Sequence, residues 1–239
     1  MKRYAFTLIE LLIVVSIIAV LIAILLPAMS KARKLGKATT CLSNMRVMAQ
    51  AMATYADTND GRFPTVGFAH GGSVDEARAW LNTMEQEYGS RDVLVCPSDK
   101  SPHWQTPIPA TVGSDEPQYR RMSYASNYYM TGKVSGTGDR IVMTRVARPS
   151  TTIFWAELTE EGDFAAADHV HPETWWSDPV RLASEELALA RHLDKANYAL
   201  VDGHAEPFTF ALTYSIDWAG SSFPDIAWTH NKWDPRLGW

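Results

Sequence analysis

His169 and His171 flank Val170 in an acidic stretch with Asp168 and Glu173, and His192 stands nine intervening residues before Asp202-Gly203. Alternate residues of a strand share one face, so His169 and His171 could share an ion, although two histidines in a polar loop are ordinarily just solvated. A metal-dependent hydrolase would need His169, His171, His192 and Asp202 to converge. Other catalytic patterns are missing from the chain: it has no G-x-S-x-G, no H-E-x-x-H, no Walker loop and no glycine fingerprint ahead of a helix. The expectation is therefore a protein without catalytic activity, metal or cofactor. One more side chain stands out, Glu10, the only charge between Phe6 and Ala28 (FTLIELLIVVSIIAVLIAILLPA). An acid inside a bilayer helix costs up to about 3 kcal/mol even on the lenient insertion scale, so Glu10 calls for a partner charge.

The elements that must carry these residues divide at Met29. From Leu11 to Met29 there are 19 residues without a charge, long enough to span hydrocarbon and too long for a secretory signal core. Beyond Pro27, Leu35, Ala38, Leu42, Met45, Ala49, Met52 and Ala56 recur at spacings of three and four, the stripe of a helix that buries one face. That helix is expected to stop at Asp57-Thr-Asn-Asp-Gly61, with Gly61 as its left-handed cap and Pro64 forbidding resumption. Asp57, Asn59 and Gly61 also brush the start of a calcium loop, but Arg62 and Phe68 stand where that loop needs Gly and Glu.

Short runs rich in β-branched and aromatic residues then predict strands at 93–95, 124–130, 141–146, 152–156, 198–201 and 205–208. Residues 132–139 read as a flexible connection and 160–182 as a long polar insertion. Asp202-Gly203 between two such runs predicts a type I′ hairpin, with His192 ahead of it and able to bond back toward the turn. The fold class is α+β, a long helix laid on an antiparallel sheet. The 210 residues after Met29 suffice for one head with its own core. The formal charge is −5, and apart from Lys31, Arg33, Lys34 and Lys37 no basic patch points to nucleic acid. Nine Trp and nine Tyr fit packing roles.

Phe6-Thr-Leu-Ile-Glu10, preceded by Lys2 and Arg3 and followed by Pro27, resembles the N-terminal signal of type IV pilins and type II secretion pseudopilins. The resemblance implies a leader at 1–5 cut by a prepilin peptidase between Ala5 and Phe6, N-methylation of Phe6, a transmembrane and assembly helix at 6–29 and a stalk helix at 30–60. Glu10 would guide assembly and Pro27 would bend the helix. Ala5 departs from the family's usual Gly but is similarly small. A continuous helix from Phe6 to Asp57 would run about 78 Å. Tyr55-Ala-Asp-Thr-Asn-Asp-Gly-Arg-Phe-Pro-Thr65 is similar to the helix-exit segment of the major type II secretion pseudopilin, and His192-x9-Asp202-Gly203 to the signature of the prepilin-type processing-associated H-X9-DG proteins. The head would then be 61–239, with the signature at 192–203 in a structural role.

The family further implies a bacterial inner-membrane protein with a periplasmic head. Its partners would be further copies of itself in a filament, the prepilin peptidase, an assembly platform and membrane lipid before assembly. Cys41 and Cys96 resemble positions common in this group, and an oxidising periplasm invites a disulfide between them, two buried thiols being the alternative. The positive-inside rule, applied to Lys31, Arg33, Lys34 and Lys37 against Lys2 and Arg3, argues for the opposite orientation. A conventional signal peptide and a plain signal anchor account for the apolar run but not for Phe-Thr-Leu-Ile-Glu. The rival function is a membrane-anchored envelope protein that does not polymerise and binds ligand through its Trp-rich end, Trp218 to Trp239.

Overall fold

No charge interrupts Leu11 to Met29, and a one-sided stripe follows; in the computed structural model both halves belong to a single helix, α1 (Leu8–Thr58). The structure describes residues 7–68, 75–108, 117–131, 142–217 and 227–236. Ala5, Phe6, the connection at 132–139 and most of the Trp-rich end lie outside the described residues. Helix α1 is 51 residues long, or about 76 Å. It stops as the Asp-Thr-Asn-Asp-Gly string requires, with one refinement. Asp60 (φ 56°) takes the first left-handed position, Gly61 (φ 73°) the next, and the Gly61 N–H donates to Ala56 O at 2.8 Å, closing a Schellman motif.

The stripe becomes a buried face only where the head begins. Cys41, Met45, Met48, Ala49, Ala51, Met52 and Ala56 are buried, whereas Leu35 is exposed. Two short helices, α2 (Trp80–Thr83) and α3 (Glu85–Tyr88), pack Trp80, Leu81 and Tyr88 into the same core.

The head's main sheet has five strands in the order β3-β1-β2-β4-β5. These are β1 (Tyr124–Asn127), followed at once by the helical turn α4 (Tyr128–Thr131), then β2 (Ile153–Glu157), β3 (His169–Val170), β4 (Ala196–Leu200) and β5 (Ala205–Phe208). Helix α5 (Pro179–Glu186) lies between β3 and β4 in the chain, and β6 (Tyr214–Asp217) pairs antiparallel with β7 (Ala227–Asn231) as a separate ribbon. The α+β pilin-like class stands, but the sheet is mixed: β1 runs parallel to its edge neighbour β3 and antiparallel to β2.

Helix α1 lies against β4, β5 and β2, so the sheet separates two apolar clusters. On the helix side, Met45, Met48 and Met52 pack with Phe63, Trp80, Phe154 and Trp155, the rings of Trp80 and Trp155 meeting edge-on at 4.4 Å. On the far side Trp175, Tyr198, Phe210, Tyr214 and Trp233 form the second. A register shift between Ile153 and Trp155 in β2 explains how the consecutive Phe154 and Trp155 both reach the helix side. Polar staples seat the helix as well: Asn44 donates to Val95 O at 3.1 Å, Arg46 to Ala205 O at 3.3 Å and Asn197 to Ala38 O at 3.2 Å.

Three strand expectations change. Arg91–Leu94 is a 3-10 turn, because Ser90 caps it by accepting from the Asp92 N–H. Met143–Arg145 is another, entered by a lone bridge between Val142 and Arg62. Tyr124–Met130 breaks after four strand residues, where Asn127 turns its side chain to accept from the Tyr129 N–H. The stretch at 160–182 is no mere polar insertion: it supplies β3, a 3-10 run at Pro172–Ser177 with Trp175 fully buried, and the start of α5. Asp168 and His169 within it are buried because they are paired, His169 with Asp168 and Asp168 with the Gly67 N–H at 2.7 Å.

Candidate functional site

The N-terminal half of α1 begins with a capping box. Thr7 Oγ1 accepts from the Glu10 N–H at 3.2 Å, and Glu10 Oε2 in turn accepts from the Thr7 N–H at 2.9 Å. The acid therefore serves its own helix terminus. Sequence reasoning read Glu10 only as an intermolecular partner, although T-x-x-E is itself a recognisable start signal. From Leu8 to Leu26 nothing among the described residues covers the helix: Leu8 is 85% exposed and Ile24 67%. The segment is long and apolar enough to cross a membrane. Pro27 sits inside the helix, and lacking an N–H it frees the carbonyl of Ala23 four residues earlier.

In the head, the signature residues separate. His192 opens a tight turn to Lys195, in which Leu193 (φ 52°) and Asp194 (φ 69°) occupy the two left-handed positions and the His192 N–H donates to Lys195 O at 2.8 Å. The type I′ geometry expected at Asp202-Gly203 is thus found here. At the later turn only Gly203 (φ 97°) has positive φ, and the Gly203 N–H donates to Leu200 O at 3.1 Å. That is a three-residue hairpin loop ending in a left-handed glycine. Asp202 accepts from the His204 N–H at 3.2 Å and does not meet His192. The two lie beyond opposite ends of β4, about 16 Å of strand apart.

His169 Nδ1 is 2.7 Å from Asp168 Oδ1 and His171 Nδ1 is 3.3 Å from Glu186 Oε2, their rings 4.7 Å apart on the edge strand. Burial alone would push His171 down, but Glu186, with Glu173 and Asp168 nearby, outweighs it and holds the imidazole above its ordinary value. The convergence of His169, His171, His192 and Asp202 that a hydrolase would need is not found.

His192 instead joins the two cysteines. Cys41 from α1, Cys96 from the loop after the 3-10 turn at 91–94, Glu157 from the end of β2 and His192 bring their ligand atoms within 4.8 Å of one another, all four buried. Cys41 Sγ donates to Glu157 Oε1 at 2.8 Å and lies 3.1 Å from Tyr124 Oη. His192 Nε2 is 2.7 Å from Glu157 Oε1 and 3.5 Å from Cys96 Sγ. The Asn197 N–H fixes Glu157 Oε2 at 2.9 Å, the Ser98 N–H points at Cys96 Sγ from 3.4 Å, and Arg191 Nη1 stands 3.9 Å from Glu157 Oε1.

Electrostatics splits the two thiols. Burial, with Cys96 and Glu157 beside it, pushes Cys41 far up. The Cys41 hydrogen bond and that of His192 bring Cys96 down to about 6 against its own desolvation. Burial would lower His192, yet Cys96 and Glu157 outweigh it and lift the imidazole to about 9. A thiolate beside an imidazolium is the pairing that cysteine nucleophiles use. Here Cys41 is 0% exposed and Cys96 1%, so a substrate has no approach to either sulfur. Sequence reasoning singled out both cysteines and the histidine but missed Glu157 and Tyr124. The one available signal was an acid closing the apolar run Ile153-Phe-Trp-Ala.

A second buried charge system adjoins this one. Arg120 Nη2 donates to Asp99 Oδ2 at 2.6 Å with both side chains fully buried, and Arg191 Nη2 lies 3.8 Å from the same oxygen.

Residues 1–26 match the family model described as the prokaryotic N-terminal methylation motif. This match supports a type IV pilin-like prepilin signal at the N-terminus. The motif covers the residues that lead into and form the uncovered half of α1, so sequence class and exposed apolar surface coincide on one segment. Together they fit anchoring in the inner membrane with a C-terminal head. Neither the curated proteins nor the solved structures give a match to this chain.

Proposed function

We propose that the protein is a structural subunit of a filament of the type IV pilus or type II secretion pseudopilus kind, made from a prepilin cut between Ala5 and Phe6 and N-methylated at Phe6. The observation that carries this reading is the methylation motif at 1–26 on a helix whose apolar first half is left uncovered by the described residues. An uncovered apolar helix of membrane length needs either lipid or other helices around it. Before assembly, lipid fills that role, with the head on the periplasmic side. Polymerisation, driven by an inner-membrane platform, moves the helix into a bundle of like helices.

Glu10 then changes partners. In the single subunit its carboxylate caps Thr7, and in the bundle it faces the amine of Phe6 from a neighbouring copy, where an unpaired charge in a water-poor core would be heavily penalised. Pro27 lets the membrane half adjust relative to the stalk, since the carbonyl it frees is the weakest point of the helix ladder. The head carries no catalytic role in this reading, and its His192-x9-Asp202-Gly203 string, similar to the H-X9-DG signature, shapes two turns around β4.

The test is intact mass and N-terminal sequencing of the protein recovered from membranes of its own host, beside an Ala5→Asp variant. The expected result is a mature chain beginning at N-methylated Phe6, with Ala5→Asp retained as precursor. An unprocessed chain from Met1 to Trp239 would make the protein a signal-anchored envelope protein instead.

A further inference from the structure

Cys41, Cys96, Glu157 and His192 come from four separate elements, yet all four present a metal-ligating atom to one buried point. Chance does not readily place two sulfurs, a carboxylate oxygen and an imidazole nitrogen within 4.8 Å of one another inside a core. We propose that this cluster is a structural zinc site, held by Cys41 Sγ, Cys96 Sγ, His192 Nε2 and Glu157 Oε1, that locks the stalk helix to the head.

The donor set decides the ion. Two thiolates, one imidazole and one carboxylate in a closed, four-ligand arrangement suit tetrahedral zinc, whereas calcium and magnesium demand oxygen ligands. Around a tetrahedral ion with bonds of about 2.0–2.3 Å, ligand atoms sit roughly 3.3–3.8 Å apart. The present separations include 2.7 Å between His192 Nε2 and Glu157 Oε1 and 3.5 Å between His192 Nε2 and Cys96 Sγ, with every pair within 4.8 Å, so they straddle that range and loading would draw the ligands into it. The bonds now joining these atoms are carried by protons at the places a cation would hold. Loading exchanges the Cys41 and Cys96 thiol protons and the His192 Nε2 proton, whichever are bound at the working pH, for one Zn²⁺.

The surroundings are those of a built site. Outer contacts orient the ligands: the Asn197 N–H on Glu157 Oε2, the Ser98 N–H on Cys96 Sγ and Tyr124 Oη against Cys41 Sγ. Charge closes as well. Two thiolates and a carboxylate carry three negative charges, a divalent ion leaves one, and Arg191 Nη1 stands 3.9 Å from Glu157 Oε1 to face it. His192 also lines a cleft of about 900 Å³ between the start of the stalk and the head, while Cys41, Cys96 and Glu157 do not, so the four ligands form a closed site as a structural ion requires.

A disulfide is the rival use of the same sulfurs and explains less of the site. It would remove the S–H that Cys41 donates to Glu157 and leave the buried carboxylate and His192 aimed at an uncharged bond. Zinc uses all four. Cys41 lies twelve residues beyond Met29, about 18 Å along the helix, so the ion would fix the head at a set distance from the membrane half.

The experiment is elemental analysis of the full-length protein, purified in detergent from its host without chelators, paired with thiol counting by mass. The proposal expects about one zinc per chain, two cysteines that stay unalkylated until the metal is removed, and a fall of the unfolding temperature after chelation. Replacing zinc by cobalt in the wild-type protein should give the visible bands of tetrahedral Co²⁺ with a thiolate-to-metal transition in the near ultraviolet. That readout needs no variant to fold. Where the variants do fold, Cys41→Ser and His192→Ala should lose the metal, while His169→Ala and His171→Ala should keep it. Folded protein with a Cys41–Cys96 disulfide, free thiols that take up neither zinc nor cobalt, or zinc retained after Cys41→Ser with Cys96→Ser would each overturn the proposal.

Discussion

At the scale of single residues the head is held by charges that have left water. Asp99 and Arg120 are both fully buried at 2.6 Å, and each would be costly alone, so removing one partner is worse than never having had either. Asp99→Asn should destabilise the full-length protein by about 3–5 kcal/mol in denaturant unfolding. Burial alone would raise the Asp99 carboxyl, but Arg120 and Arg191 outweigh it and hold the acid below its ordinary range. A depressed folded-state value means stability that is fully present above the unfolded carboxylate value and lost as pH falls through the folded one. Wild-type stability should therefore drop on acidification below about pH 4, and the Asp99→Asn variant should show a flatter profile there. An unchanged acid limb in the variant would count against the pair. The same scale holds what was least legible from sequence. Cys41, Cys96, Glu157 and His192 are separated by dozens of residues, and no local spacing links them; only the tertiary packing of α1 on β2 and β4 does. Asp168 read as part of a polar insertion because composition cannot announce a buried partner.

At the scale of elements, α1 is one helix with two solvents. Its stalk half was legible, since Met45, Ala49, Met52 and Ala56 fall on the predicted stripe and are buried, and its stop was written in Asp57-Thr-Asn-Asp-Gly61. Strands β2 and β5 were legible as short β-branched and aromatic runs bounded by turn residues. The 3-10 turns at 91–94 and 143–145 were not, because β-branched and long apolar side chains fill such turns as readily as strands and the deciding signals, a Ser90 cap and an isolated bridge, involve single bonds. The two halves of α1 should respond differently to truncation. Met52→Ala removes a fully buried side chain and should cost about 2–5 kcal/mol of head stability. Ile18→Ala, at a position uncovered by the chain, should leave head unfolding unchanged while weakening retention in the membrane. Equal effects of the two on head unfolding would contradict a division of labour along the helix.

At the scale of the whole molecule, the protein is a folded head on a helix that is incomplete by itself. The head supplies its own apolar core on both faces of its sheet, and among the described residues the first half of α1 takes no part in it. In the proposed filament that exposed apolar surface is what a neighbouring helix would cover, and Glu10 would give the neighbour a polar address. Glu10→Leu relieves the cost of the acid in lipid, so the subunit should still be made and still be held in the membrane. What it should lose is the ability to enter the filament. The direct measurement is the amount of mature subunit in filaments sheared or extracted from cells and collected by sedimentation, comparing wild type with Glu10→Leu at equal membrane levels. The account predicts that wild-type subunit appears in sedimenting filaments and that Glu10→Leu falls by at least about tenfold, the factor that corresponds to roughly 1.4 kcal/mol in an assembly equilibrium. Equal recovery of the two, or wild-type subunit absent from any filament while mature in the membrane, would contradict it.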